Sequence, residues 1–429
     1  MTMSRSAIMA PAAGNAAAAV APASLAALGW LNFFLADARD GLGPFLDAYL
    51  TTRGWQPIDL GVLATIGGVI GLLAGVPAGA FADRSHHKRL MIIVPVLLIT
   101  LMSFLCIAYP QHAVVFATQT VAALAGVLIA PALSGITLGV VGPARFGEQL
   151  GRNEAWNHGG NLVLLGATWG ASAWFALPGV AGLMLLTTIA TVIATLAISP
   201  SGIDHALARG MGGADTSAAS GAGAPSSLRE LGRNRPLLWL SVALLLFHFG
   251  NAPLARLIAQ QFALQMQRPF ETTAVITMVS QVSALAAALA AQRIIRHDWV
   301  RLAAVLALLS LPLRGVLAYA FPDFAMIYPV QLLDGLGVGL LGILTPFLVE
   351  RLTRGSGHFN LALAAVMMVQ GVGAASSNVV AGYLVTHHGY PLTYLLHGSF
   401  ALLALAAMMP ALAGAGAARR RRDAGTPAG

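Results

Sequence analysis

Charge is what this sequence has least of. Of its 429 residues only 9% are Asp, Glu, Lys or Arg, against about 25% in a soluble domain. So few charges could not cover a globular surface of this size, which excludes a cytosolic enzyme. A mean hydropathy of +0.76 excludes disorder of the chain as a whole. There is one cysteine, Cys106, set in an apolar run, so no internal disulfide can form and no CxxC motif exists. There is one lysine, Lys88, preceded by His87; without a Gly-Lys pair there is no P-loop, and ATP-driven transport within this chain is excluded. HExxH and GxSxG are also missing. The pairs His86-His87 and His387-His388 are poor chelates without further ligands, so neither a metal nor a cofactor is expected.

What the chain has in excess is apolar residues, 57% of the total, and 47 glycines. A bilayer crossing takes roughly 20 apolar residues, and glycine lets helix backbones approach closely in lipid. Apolar runs fall near 24–50, 59–82, 90–109, 113–141, 155–176 and 178–198, then near 236–263, 271–292, 300–321, 324–350, 360–385 and 390–413. Between the sixth and seventh, residues 199–235 are rich in Gly, Ser, Ala and charge, show no apolar face, and read as a partly disordered loop. The expectation is an all-α integral membrane protein of 12 transmembrane helices in two six-helix bundles. Residues 1–198 form the first bundle, 199–235 the cytoplasmic linker, and 236–429 the second bundle with a basic tail.

The net charge of +8 could suggest nucleic acid, but the basic residues are scattered between apolar runs, so no nucleic-acid partner is expected. Their distribution instead gives an orientation. With both termini in the cytoplasm, the inner loops and tails hold nineteen of the 24 basic residues, among them Arg84, Lys88, Arg89, Arg293, Arg296 and Arg419 through Arg422. The outer loops hold only Arg53 and Arg268. That asymmetry is the positive-inside pattern of a multi-pass protein of the cell's inner membrane.

The sharpest local motif follows the second run: "GAFADRSHHKR", Gly79 to Arg89. Gly-x-x-x-Asp-Arg followed by basic residues, between spans two and three of a six-plus-six chain, resembles the signature loop of the major facilitator superfamily. The resemblance covers essentially the whole chain. It implies a conformational latch in which Gly79 permits a tight helix contact and Asp83 engages a neighbouring helix end and an arginine, while Arg84, Lys88 and Arg89 anchor the loop inside. His86 and His87 depart from the family pattern. The corresponding loop of the second half, "AQRIIRHDWVR", keeps charge but loses the Gly-x-x-x-Asp core. Gly67, Gly71, Gly75 and Gly79 recur every four residues on the second run, and Gly371, Ala375, Asn378 and Gly382 make a similar stripe on the eleventh. By the same resemblance these two stripes face each other across the halves.

Ionisable residues inside spans each cost about 2.5–3.5 kcal/mol at mid-bilayer, so they mark a partner or a site. The first run carries Asp37, Arg39 and Asp40; spacing puts Asp37, Asp40, Pro44 and Asp47 on one helical face, with Gly41, Gly43 and Pro44 as a bend. The candidate substrate or proton site comprises Asp37, Arg39, Asp40, Asn157, His158, His248, Asn251, Arg256, Asp334 and Gln370. A structural ion pair around Arg39 is the alternative for the first three. The sites lie in both halves, as a midplane site requires.

The functional expectation is a secondary transporter, not an enzyme, that moves a small organic solute by alternating access with proton coupling. Export of a drug-like molecule or metabolite is weighed slightly ahead of an importer or exporter of an anionic metabolite or siderophore-like chelate. The helix-5 Gly-Pro antiporter signature and the intramembrane arginine of helix 4 are absent, which keeps the second reading open. A polytopic membrane sensor without transport is the rival of another class. The expected partners are the solute, the proton and the lipid bilayer, and a monomer is expected.

Overall fold

In the computed structural model, residues 22–39, 41–209, 232–297, 299–321, 323–353 and 359–425 are described. Among them there are helices and turns but no strand. The first pass is broken into α1 (Pro22–Ala38) and α2 (Gly43–Thr52). It is followed by α3 (Pro57–Arg84), α4 (Leu90–Ala108), α5 (His112–Gly126) and α6 (Ile129–Val141). The long α7 (Pro143–Ala197) contains one non-helical residue, Ala176, at φ 50° and ψ −141°, two positions before Pro178, which cannot donate to the preceding turn. The second half runs through α8 (Arg235–Asn251), α9 (Leu254–Met266), α10 (Pro269–Arg296), α11 (Val300–Ala320), α12 (Ile327–Thr353), α13 (Phe359–His388) and α14 (Tyr390–Gly425).

Ten stretches among the described residues are long and apolar enough to cross a membrane, and the shorter Ala23–Ala38 is apolar as well. Taking α7 as two passes and α1 with α2 as one would bring the ten to the twelve expected. Large apolar side chains stand outward, as lipid permits: Leu73 is 74%, Trp174 83% and Phe175 68% exposed.

Two apolar cores account for most of the packing. One joins Ala27 to Ile203; the other joins Leu237 to Ala415, with Ala48 the one member from the first half. A third, smaller cluster puts Phe270 and Ala274 of α10 against Leu42, Phe45 and Tyr49 around α2. That third cluster lies at the end of the bundles away from the 199–235 segment.

The segment itself departs from expectation in its first part. Residues 200–202 and 207–209 form 3-10 turns that dock on α6, where the Asp204 amide donates to the Gly139 carbonyl at 3.0 Å. Ile203 and Ala208 are buried there. Two apolar side chains five residues apart suffice to dock a turn, and they were hidden by the polar composition around them. Residues 210–231 lie outside the described residues.

The halves also touch along α3 and α13, which run antiparallel. Gly382 lies against the Pro57 backbone, Gly61 against the Asn378 carbonyl, Gly68 against Ala375, and Gly371 against Leu72. The Thr65 hydroxyl donates to the Ala375 carbonyl at 3.0 Å and accepts from the Val379 amide at 3.1 Å. The eleventh-run stripe therefore does meet the second helix, but on Gly61 and Gly68. Gly67, Gly71, Gly75 and Gly79 have open space where a Cβ would go, so the facing stripe expected from four-residue spacing is not the one used. Among the α3 glycines Gly61 and Gly68 meet α13, whereas Gly75 and Gly79, further along, stand open.

Candidate functional site

Glycine conformation decides where the acids of the first pass go. Gly41 sits at φ +56° and Gly43 at +23°, so α1 ends at Ala38 and α2 starts at Gly43 in a new register. Asp37 consequently turns toward the second part of α7, where the Thr187 hydroxyl donates to its Oδ2 at 2.7 Å. Asp47 turns the other way, across the boundary between halves. The single acidic face drawn for a continuous helix is thus split. Asp40 lies outside the described residues.

Asp47 is the centre of the polar contact between the halves. Arg256 of α9 binds it with two parallel bonds, Nε to Oδ2 at 2.7 Å and Nη2 to Oδ1 at 2.6 Å. Gln260, one turn further on, donates to Oδ2 at 3.1 Å, and Arg256 Nη1 reaches Asn378 Oδ1 of α13 at 3.3 Å. The Asp47 side chain is 5% exposed and that of Arg256 34%. Fork-to-fork pairing of this kind fixes orientation as well as charge. Beside it lies a cavity of about 520 Å³ lined by Arg39, Leu46, Asp47, Leu63, Gly67, Gln119 and Arg256 among others. Gly67 therefore serves as bare cavity wall.

A second network is sealed inside the second half. Arg314 of α11, fully buried, donates from Nη1 to Asp334 Oδ1 at 2.7 Å and to Asn251 Oδ1 at 2.7 Å. Asp334 of α12 also accepts from Asn251 Nδ2 at 3.1 Å and from the Ser280 hydroxyl at 2.7 Å. Four helices, α8, α10, α11 and α12, converge on one ion pair. Half-buried His248 lies edge-on to Phe247 at 5.3 Å and within electrostatic reach of Asp334. Between the two networks stand Tyr390 and Tyr394, with ring centroids 6.3 Å apart; the Tyr394 hydroxyl donates to Gln261 at 2.7 Å.

The remaining candidates are dispersed. Asn157 on α7 donates to the Asn32 carbonyl and accepts from Asn161, both at 3.4 Å. His158 beside it is exposed, and Gln370 on α13 is half-buried. Neither joins the two networks. His397, which the sequence reading passed over, is buried on α14 and stacked on Phe249.

At the linker end, the basic residues of the 85–89 loop act as helix caps. Lys88 is buried, threads past Gly135 of α6 and donates to the Ala82 carbonyl at the end of α3. It is therefore a C-cap within the bundle; the deep position is open because Gly135 has no side chain. Arg89 Nη1 donates to the Leu196 and Ile198 carbonyls at 3.3 and 2.9 Å, closing the end of α7. Arg84 is exposed. The tight contact expected at Gly79 is not made here, because the space around it is open. The Asp83 side chain lies outside the described residues.

Sequence reasoning missed Asp47 and Arg314 as site members. Asp47 was on the page as part of the acidic spacing, and the two glycines before it were the signal that the register would change. Arg314 was visible as an intramembrane arginine, and Asp334 was the one acid well inside a predicted span of the same half, Glu271 and Glu350 standing at the ends of theirs.

Comparison with known proteins gives one consistent answer. The family model of the Major Facilitator Superfamily matches residues 25–357. An uncharacterized MFS-type transporter of Mycobacterium tuberculosis (strain ATCC 25618 / H37Rv) is 38% identical over 408 residues, 91% of this chain and 94% of the relative. The crystal structure of the nucleoside transporter NupG superposes with a TM-score of 0.70 at 15% identity, covering 91% of this chain and 98% of that one. A bacterial homolog of the lysosomal transporter Spinster, crystallised inward-facing and occupied, gives 0.66 at 12% identity over 94% and 98%. A D-xylose–proton symporter gives 0.63 at 16% over 90% and 96%. At these identities the structures share the fold.

Proposed function

The chain belongs to the major facilitator superfamily, and from that premise we propose that it is a proton-coupled secondary transporter of a small organic solute in the cell's inner membrane. Residues 1–198 and 236–429 act as two bundles joined by the 199–235 segment, with both termini and that segment in the cytoplasm, and they rock about a central site with export the favoured direction. One observation carries the reading: the polar tie between halves, Asp47 to Arg256, borders a cavity lined from both halves, while Gly75 and Gly79, further along α3 than its glycine contacts with α13, stand open. A rocking carrier needs a contact that holds one end shut and can be exchanged for its counterpart at the other. The positive-inside distribution supports taking the Gly79 end of α3 as the cytoplasmic one.

Proton coupling is supported by the carboxylates kept inside spans at a cost of several kcal/mol. Asp37, which accepts from the Thr187 hydroxyl, lines a small cavity with Asn161, and that access makes it the candidate proton carrier. The second reading, an anionic metabolite or chelate, is favoured by the two guanidinium groups on the main cavity wall.

Proteoliposomes enclosing a pH-sensitive dye test the proposal. A solute gradient should move protons in wild type and fail to do so in Asp37→Asn, while downhill solute exchange persists. Solute movement indifferent to a pH gradient removes the coupling. No movement of any solute from a metabolite and drug library removes the transport reading.

A further inference from the structure

Three features of the main cavity point to the charge of what it holds. Among the described residues its ionisable lining is Arg39, Asp47 and Arg256, two cations to one anion. Its remaining wall is largely apolar, with Leu46, Leu63 and Ile99, the mixture that small-ligand sites use: apolar bulk and a few charged anchors. Third, the Arg256 guanidinium is only partly committed. Of its five N–H donors, two go to Asp47 and one makes a long 3.3 Å bond to Asn378. A third of its side chain remains exposed, whereas Asp47 is sealed.

We propose that the solute is an organic anion, a carboxylate or phosphate with an apolar body, that Arg256 binds it with Arg39 of the same cavity lining, and that Asp47 is a built-in stand-in which the solute displaces. This rests on the transporter reading above and adds its substrate class and trigger. The fork geometry by which Arg256 holds Asp47 is the geometry by which it would hold any carboxylate. An incoming anion therefore competes with Asp47 for the same donors. Winning that competition severs the tie between α2 and α9, so loading itself loosens the closed end. A ligand shifts a conformational equilibrium only by its differential affinity for the two states. Here the difference is built in, because the closed state has Arg256 occupied by Asp47 and the open state has it vacant.

The displaced carboxylate does not lack a place to go. Gln260 already donates to Asp47 Oδ2 at 3.1 Å. Tyr390 lies close enough to feel the Asp47 charge, and its buried hydroxyl has no hydrogen-bond partner among the described residues. The amide that Asp47 keeps, with the unpartnered Tyr390 phenol within electrostatic reach, makes release from Arg256 less than a bare burial of charge, which would cost several kcal/mol.

The test uses matched probes on the purified full chain: benzoate against benzamide, phenyl phosphate against phenol, and inorganic phosphate, each read as a shift in melting temperature from that protein's own baseline. Binding to the folded state raises the midpoint. The expected result is that benzoate and phenyl phosphate shift wild type, that their neutral partners do not, and that Arg256→Gln abolishes the shift. In Asp47→Asn the competitor is gone, and apparent affinity for benzoate should rise about tenfold or more, as it does when a masked competent state becomes the populated one. Should Arg256→Gln fold poorly, Arg256→Lys keeps the charge, loses the fork, and should weaken benzoate strongly. Benzamide matching benzoate would overturn the anion class while leaving a solute site in the cavity. Inorganic phosphate matching benzoate, with no dependence on Arg256, would show a non-specific anion effect and overturn the site. The absence of any shift in Asp47→Asn, where Arg256 is uncovered, would overturn the proposal while leaving the transport assay with neutral solutes to judge the broader reading.

Discussion

Removing Arg314 should be the most damaging single change in the second half. Its side chain is fully buried and that of Asp334 12% exposed, so solvent screens the pair very little. Arg314→Met leaves the Asp334 carboxylate with Ser280 and Asn251 as neutral donors and strips Asn251 Oδ1 of its cation. Breaking a buried pair from one side costs about 3–5 kcal/mol. For a cooperative unit of roughly 150–250 residues, the span of one bundle, each kcal/mol moves the midpoint by about 2–4 °C, giving a loss of roughly 6–20 °C. The assay is the melting temperature of detergent-purified protein at one fixed scan rate, because unfolding of such proteins is commonly irreversible. Arg314→Met/Asp334→Leu should recover much of the loss, since an apolar pair of similar volume can replace an ion pair at little cost. Single variants within about 2–4 °C of wild type, or a double variant that loses the sum of both, would refute the view that this ion pair is the polar keystone of the bundle.

Other consequences follow from particular contacts. Gly61→Ala puts a methyl into the Asn378 carbonyl and should destabilise the closed end, while Gly71→Ala, into open space, should be neutral or gain about 0.5–1 kcal/mol of helix propensity. Melting temperatures of the two variants distinguish them. Lys88→Met removes the buried cap from the Ala82 carbonyl and should cost about 1–3 kcal/mol; a wild-type melting temperature would contradict the capping role. Asp83→Asn should slow turnover of reconstituted protein without changing ligand affinity, and unchanged transport rates would remove the latch. Asp37→Asn should lose proton-driven accumulation and keep exchange; if Asp37→Asn and Asp40→Asn both keep full proton coupling, the carrier is His248 or Asp334.

Much of the architecture is legible because membrane burial writes directly into composition. Runs such as 90–109 and 300–321 coincide with α4 and α11 to within a residue or two, since apolar length alone sets them. What stayed hidden depends on backbone conformation and on neighbours. The turn at Gly41 and Gly43 redirects Asp47, and no periodicity argument that treats 24–50 as one helix can show it. The stripe on α3 illustrates the same limit: both Gly61–Gly68 and Gly67–Gly79 are smooth, and only the partner helix decides which is covered. Lys88 reads as a surface charge until Gly135 is seen to leave it a path inward. Intramembrane charges were legible as residues that need partners, but the pairing of Arg256 with Asp47 across halves is a fact of the fold.

The account's central claim is that the tie between Asp47 and Arg256 holds one end of a two-state carrier closed. It is tested most directly by spin-label distances on a Cys106→Ser background, with one pair at Gln56 and Arg268 on the closed end and another at His87 and Arg301 on the linker end. These four positions are exposed. Asp47→Asn should lengthen the first distance and shorten the second, as rigid halves rocking about a central site require. Distances that stay unchanged at both ends, or that lengthen together, would contradict the claim.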